Sequence, residues 1–465
     1  MIGIEGYVVL ATELLAIRQL VPFVGSGTEV VSIIISAVLM PLAVGYHAGG
    51  QRVAKELKHS RKRGRRSISI RKILLRNLLT TLLILVFGLS YIVLELFFGA
   101  LSWAGLHNRI LQTAIYSLVF LVTPTYLLAQ TVPLISNYFS QTRLSEITGK
   151  MLFFSTAGSF LGSVVSTLVL MTLLGVHNTA NITVTLLGFL IFLVTPKFTS
   201  FDNVIALIFV AVIWLINGNS VMHDLHVVAD TPYSIITVQK APEEDARYLK
   251  INRSFSSKFA TDPKQRFEYI RYIEDQFINT GKVSAPREIL VLGAGGFTVG
   301  WDDRKNHYTF VDIDPALQST AEKYFLPSPL PSNKEVMSTS ARAFIRRAPP
   351  IYDLVVIDVY SNIMSIPMET ITREFLLDVK RVLKPGGIVV ANVISSPNYA
   401  DKFSVRYYHT FASVFPVFER HTIGKFDAWS EKVPYANTLY IYYNNPMMQD
   451  TDIYTDDKNT YSFDH

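Results

Sequence analysis

The stretch REILVLGAGG (287–296), with YTFVDID (308–314) close behind it, decides the fold of the second half of this chain. EILVL is a short apolar run with no polar alternation, the pattern of a strand buried on both faces of a parallel sheet. It leads directly into Gly293, Gly295 and Gly296. Glycine at that turn lets backbone approach a ligand where a Cβ would block it. The second run ends in Asp312 and Asp314. An acid about twenty residues beyond such a turn, at the end of the second strand, is placed to accept both hydroxyls of a ribose.

Working outward, EVMS (335–338) signals a weak third strand, and YDLVVIDVY (352–360) a strong fourth that delivers Asp358 to its end. Residues 370–383 have helical periodicity, and LKPGGIVVANV (383–393) reads as a turn and a fifth strand. Upstream, YSIITV (233–238) and RYLKI (247–251) read as two lead-in strands, and 263–280 as a helix. The sum is an α/β Rossmann-like, doubly wound sheet of the class I methyltransferase kind, with a small β lead-in. Ligands gather beyond the strand C-termini of such sheets. An ordinary strand-to-helix turn at Gly293 and Gly295, and a turn or cap role for Asp358, are the bland alternatives.

The first half is different in kind. Of 465 residues, 49% are apolar and only 17% charged, against a usual quarter. Seven apolar stretches stand out, at 7–24, 28–48, 77–99, 111–135, 151–175, 180–195 and 203–217. Those near 20 residues are long enough to span a bilayer. We therefore expect an all-α multi-span membrane domain over 1–222, the β lead-in over 223–262, the Rossmann-like domain over 263–445 and an acidic, disordered tail over 446–465. Residues 1–222 carry 16 Lys and Arg against 7 acids, the remainder 27 against 30. The basic excess belongs to the helices, which argues against a nucleic-acid partner for the sheet domain.

Ten of those basic residues lie in QRVAKELKHSRKRGRRSISIRK (51–72), which the positive-inside rule places in the cytoplasm. The lipid bilayer of the cell (inner) membrane is the expected partner. Seven spans would put the sheet domain outside; six or eight would keep it in the cytoplasm, where a nucleoside ligand is supplied, and that side is the expectation. Glu13, Arg18 and Glu95 fall inside apolar stretches, where charge is costly. Ion pairing or snorkelling is favoured over a transport path. Gly158 and Gly162 have the spacing of close helix packing. The chain has no cysteine, which excludes disulfides, thiolate metal sites and cysteine nucleophiles. No metal site is expected.

Taken in order, DTPYSIITV, RYLKI, GAGG, VDID, VVIDVY and LKPGG resemble the spermidine synthase (polyamine aminopropyltransferase) family, in its bacterial form fused to an N-terminal multi-span membrane domain. The resemblance covers about residues 228–420; Asp230-Thr231-Pro232-Tyr233 and VVID carry most of it. It implies transfer of an aminopropyl group from decarboxylated S-adenosylmethionine, a co-substrate and not a permanently bound cofactor, to putrescine or a related small-molecule amine. It also implies a proton acceptor at Asp358, nucleoside contacts at Gly293, Gly295, Gly296, Asp312 and Ser340, and substrate contacts at Tyr233, Tyr269 and Tyr360. A homodimer is compatible with it.

The departures are specific. Gly296, followed by Phe297, stands where the family's glycine loop carries an acid for the aminopropyl amine. Ser361 replaces a second acid after the fourth strand, and Ser340 the acid near the adenine. The upstream helix reads Tyr269-Ile270-Arg271, and the segment between the glycine turn and Asp312 is short, which trims the first helix. Two other readings stay open: an S-adenosylmethionine-dependent methyltransferase, and a non-catalytic nucleoside-binding or regulatory membrane protein.

Overall fold

The computed structural model describes residues 1–63, 68–136, 144–241, 245–279, 285–362, 365–424 and 435–445, with no side chains described for 53–69. The tail expected over 446–465 lies outside the described residues. Two compact units emerge: Met1–Val238 with the short returns Lys250–Ser254 and Ser361–Ser365, and the remainder.

Among the described residues of the first unit, six helices are long and apolar enough to cross a membrane: Ile2–Val24, Thr28–Arg52, Arg109–Ser136, Glu146–Leu174, Val176–Val194 and Phe201–Asp224. Helix Thr28–Arg63 continues through much of the basic stretch 51–72, which lies between apolar runs and is expected as a connecting loop. The helices beginning at Ile2 and Leu144 touch through glycine: a Cβ on Gly158 would lie 1.9 Å from the Gly3 carbonyl oxygen, and one on Gly162 2.4 Å from that of Tyr7. The glycine spacing thus serves packing.

The third apolar stretch, read as one span over 77–99, is broken. Ile70–Gly88 and Tyr91–Trp103 meet at 72°, and a count of seven requires taking the pair as one span. The bend frees backbone groups that an apolar surrounding would not satisfy. Tyr116 donates from its hydroxyl to the Gly88 carbonyl at 2.9 Å, and Gln19 from its amide to that of Leu89 at 2.9 Å. The Tyr91 N–H donates to Asn217 Oδ1 at 3.0 Å. Buried polar side chains on three other helices therefore hold the break open. Those residues were scattered single letters in apolar runs, so the sequence pattern did not reveal it.

Side-chain contacts also mark the two ends of this unit. At one end, Arg52 reaches Gln130 at 2.9 Å and Arg71 reaches the Val194 carbonyl at 2.7 Å. At the other, Arg18 donates two bonds to the Thr231 carbonyl, at 2.9 and 2.7 Å, and the His177 N–H donates to Asp230 at 2.8 Å. Asn217 caps the last long helix there, donating to the His177 carbonyl at 3.1 Å. Arg18 thus meets a backbone carbonyl, while Glu95 lies 3.8 Å from Arg253 and accepts from Tyr91 at 3.2 Å.

Four strands follow the helices: β1 (Val227–Asp230), β2 (Ile235–Lys240), β3 (Ala246–Ile251) and β4 (Ser254–Ala260), where the pattern had suggested two. β1 and β2 pair antiparallel around the Asp230–Tyr233 turn. The Thr231 hydroxyl accepts from the N–H groups of Tyr233 and Ser234 at 3.1 and 3.0 Å, so the motif is a turn device in its own right.

The second unit carries a seven-stranded sheet, order β10-β11-β9-β8-β5-β6-β7. Its members are β5 (Glu288–Leu292), β6 (His307–Asp312), β7 (Lys334–Ser338), β8 (Tyr352–Ile357), β9 (Leu383–Ser395), β10 (Glu419–Thr422) and β11 (Ala436–Tyr443). β5 to β9 are parallel to one another, and β11 runs antiparallel against β9. Leu290, Leu292, Val355, Ile357 and Val389 fill the core on one face with Phe375, Leu376 and Val379 from the helix Arg373–Arg381. β10 and β11 were not anticipated. The first crossover goes further than the trimmed helix we expected: residues 293–306 run in turns, with no helix.

Candidate active site

Parallel pairing lines up the ends of β8, β5, β6 and β7, and each carries one of the residues singled out by sequence. Neighbouring strands lie about 4.8 Å apart, so the row from Asp358 to Ser340 is roughly 14 Å long. Gly293 follows β5, its N–H donating to the Val311 carbonyl at 2.9 Å. Its φ is +86°. A Cβ there would lie 2.1 Å from the Asp358 carbonyl oxygen, so glycine is required both by conformation and by contact.

Gly295 and Gly296 turn beneath β4. The Gly296 N–H donates to Ser257 Oγ at 2.8 Å, and a Cβ on Gly296 would lie 2.3 Å from the Phe325 ring. Phe297 is fully buried, edge-on to Phe310. The position of the absent family acid is thus occupied by core packing. Ser257 is a site-shaping residue that the sequence reading missed, because its strand was not recognised.

Asp312 ends β6. Its Oδ2 accepts from the Ala294 N–H and its Oδ1 from the Asp314 N–H, both at 3.1 Å. Burial pushes its carboxyl up to about 6, against the pull of those backbone donors. Ser340 caps the helix Ala341–Arg347, accepting from the Ala343 N–H at 3.1 Å. Its hydroxyl hydrogen stays free for a ligand, so capping and binding are compatible.

Asp358 follows β8. Oδ2 accepts from the Tyr269 hydroxyl at 2.8 Å and Oδ1 from Asn392 Nδ2 at 2.9 Å. Burial raises its carboxyl above the ordinary carboxylate range, and these two donors oppose the rise. The Tyr360 hydroxyl donates to the Asn392 carbonyl at 3.2 Å and accepts from the Ile394 N–H at 2.6 Å, fixing the end of β9. The structure therefore brings Asp358, Tyr269 and Tyr360 together. Tyr233 lies on the β1–β2 turn in the first unit, its ring exposed. Asn392 was missed. A lone Asn in GIVVANVIS was the signal, since a buried amide needs a partner.

No family model matches the chain. A polyamine aminopropyltransferase of Vibrio vulnificus is 30% identical over 161 residues, 33% of this chain and 53% of that protein. The sheet domain is similar to polyamine aminopropyltransferases. The chain spans about half the length of that curated relative. An N-terminal histidine N-methyltransferase of Emericella nidulans is 33% identical over 114 residues, 23% of this chain and 19% of that protein. A probable spermidine synthase of Corynebacterium glutamicum, a solved structure, shows 23% identity and a TM-score of 0.39 over 48% of this chain and 79% of that one. At two positions that depart from the pattern of these relatives, Gly296 serves packing and Ser340 caps a helix.

Proposed function

We propose that this protein is a membrane-bound aminopropyltransferase that uses decarboxylated S-adenosylmethionine to alkylate putrescine or a related amine. The observation that carries it is Asp358, a half-buried carboxylate gripped from both sides at the edge shared with the glycine turn and Asp312. The amine arrives as an ammonium and gives a proton to Asp358. Its lone pair then attacks the carbon beside the sulfonium. The N–C bond forms, the C–S bond breaks, and its electron pair returns to sulfur, leaving methylthioadenosine and a secondary ammonium. Asp312 holds the ribose, and positioning supplies much of the rate. The test is turnover: purified full-length protein in detergent, given donor and putrescine, should release methylthioadenosine in step with alkylated amine. Release of neither would overturn the proposal.

Asp312→Ala should weaken methylthioadenosine binding by about 1.5–3 kcal/mol, the range for a hydrogen bond to a charged group. The diol needs the ionised carboxylate. With the carboxyl near 6, wild-type affinity should be flat above neutrality and fall about tenfold per pH unit well below 6. Asp312→Asn should lose that dependence. Calorimetric titration across pH reads both results.

The apolar helices support insertion in the cell membrane, with the stretch 51–72 on the cytoplasmic side. Asn217 and Asp230 lie at the end of the helical unit opposite Arg52 and Arg71, so the chain leaves that unit on the far side. This favours an external sheet domain over the cytoplasmic side expected from ligand supply. A reporter fused after His465 should be active only outside the cytoplasm; cytoplasmic activity would restore the first expectation. An external domain, with its missing acids, also favours a second reading, nucleoside binding without turnover, which the turnover assay separates.

A further inference from the structure

Along one face of the helix Ile2–Val24, Glu5 Oε2, Thr12 Oγ1 and Gln19 Oε1 are buried and have no hydrogen-bond partner among the described residues. The three residues are 1%, 4% and 3% exposed. Their spacing is seven and seven. Seven residues make nearly two turns, so the three positions stay within about 40° of one another and climb about 21 Å. That is about two-thirds of the hydrocarbon thickness of a bilayer. Neighbouring helices fix both ends of the line. Tyr46, on the helix Thr28–Arg63, is the titratable side chain beside Glu5, and the Ser155 hydroxyl is within hydrogen-bonding reach of its carboxyl. Tyr46 precedes Arg52 by less than two turns, so Glu5 lies toward the Arg52 end of the unit. Gln19 Nε2 donates to the Leu89 carbonyl at the broken span, which leaves Oε1 on the other side of the amide. Ser90 Oγ, in the same break, is likewise buried without a partner. Buried polar atoms left unpaired are costly, and they concentrate at functional positions.

We propose that the helical unit carries protons, with Glu5 as the group that binds and releases them and Thr12, Gln19 and Ser90 as the rest of the route. This rests on the reading of that unit as inserted in a membrane. The occupant follows from the chemistry. A bare carboxylate in an apolar interior bears the cost of its charge. A metal ion needs several more oxygens, and no group of three or more His, Asp or Glu side chains gathers among the described residues. A proton removes the charge, needs no room and turns one carboxyl oxygen into a donor. The step is proton transfer alone. A hydronium at the Arg52 end gives its proton to Glu5, forming an O–H bond; that bond breaks as the proton passes to a water held by Thr12. Each step of about 10 Å along the helix is the length of three or four O–H···O bonds, so two or three waters bridge it. The Thr12 and Ser90 hydroxyls both accept and donate, and the Gln19 carbonyl accepts, so these groups orient the waters without being protonated themselves.

The test uses the full-length protein in sealed vesicles of phosphatidylcholine and phosphatidylglycerol, with a pH-sensitive dye inside and a potassium diffusion potential, negative inside, as the driving force. Wild-type vesicles should acidify several-fold faster than empty ones. Glu5→Gln should return the rate to that of empty vesicles, and Glu5→Asp should keep most of it. Thr12→Val keeps the shape and removes the hydroxyl; it should cut the rate about tenfold or more, and it gives an independent arm should Glu5→Gln fail to fold. Glu13→Gln, about 100° round the helix from Thr12, should leave the rate within about twofold. Flotation of the protein with the vesicles after an alkaline wash is read first. Protein that washes off would overturn the membrane reading and this inference with it. Protein that stays but passes no protons, or passes them equally as Glu5→Gln, would overturn this inference alone. Equal losses in Glu5→Gln and Glu13→Gln would overturn the route, because position on the helix would then not matter.

Discussion

Asp358→Asn should lower kcat by about 10²–10⁴-fold, the usual contribution of a positioned general base, while methylthioadenosine affinity stays within about twofold. The substitution keeps the shape and one accepting oxygen, so Tyr269 or Asn392 retains a partner. What goes is the negative charge that takes a proton from an amine of ordinary basicity. The folded protein should not suffer. Burial raises the Asp358 carboxyl, so its favourable contribution to stability exists in acid and is lost as pH rises through that raised value. Wherever the wild-type carboxyl is ionised it carries a desolvation cost that the neutral amide does not. The melting temperature should therefore hold or rise as activity collapses. An active Asp358→Asn enzyme would send the proton elsewhere; an inactive one that also melts early would point to a structural role.

The second large effect is expected at Gly293. Gly293→Ala must adopt a left-handed φ, at about 1–2 kcal/mol. It must also push a methyl group against the Asp358 backbone oxygen, an overpacking cost of about 1–3 kcal/mol. For a unit of this size that is a loss of about 4–20 °C in melting temperature. Because the obstacle is the backbone of Asp358 itself, nucleoside affinity and turnover should fall with it, each more than about tenfold. Gly386→Ala is the control. Its φ is +80°, yet nothing lies within 4 Å of the added carbon. It should show the strain alone, with function intact. Matching losses in the two variants would mean that the close approach of β5 to Asp358 has no functional weight.

The sheet edge was legible because its signals are local and repeated. EILVL and VVI could only be strands buried on both faces, and the residues just past them, Gly293, Asp312 and Asp358, inherit their position from the parallel order. What escaped depended on distant partners. Asn392 acquires meaning only from Asp358, thirty-four residues earlier in the chain. Ser257 matters through an N–H in a different turn. The bend before Tyr91 is stabilised by Gln19, Tyr116 and Asn217, none of which a hydropathy window would connect. Strands β10 and β11 lie after the last recognised motif, and the polar positions in HTI and ANTLYIYY mask their pairing. Position along a strand is a local property; hydrogen-bond partnership is not.

The helix-free first crossover also bears on which ligands this edge can hold. In most doubly wound sheets the glycine turn opens a helix whose first N–H groups converge on the ligand, adding about half a positive charge that favours phosphate. Here residues 293–306 only turn, the Ala294 N–H is given to Asp312 and the Gly296 N–H to Ser257. A ligand at the glycine turn meets two carboxylates and no macrodipole to offset them. On the proposed reading, with both carboxyls ionised, the local field is negative and favours a sulfonium or an ammonium over a pyrophosphate, so selection among nucleoside ligands would begin with charge, before any base or ribose contact.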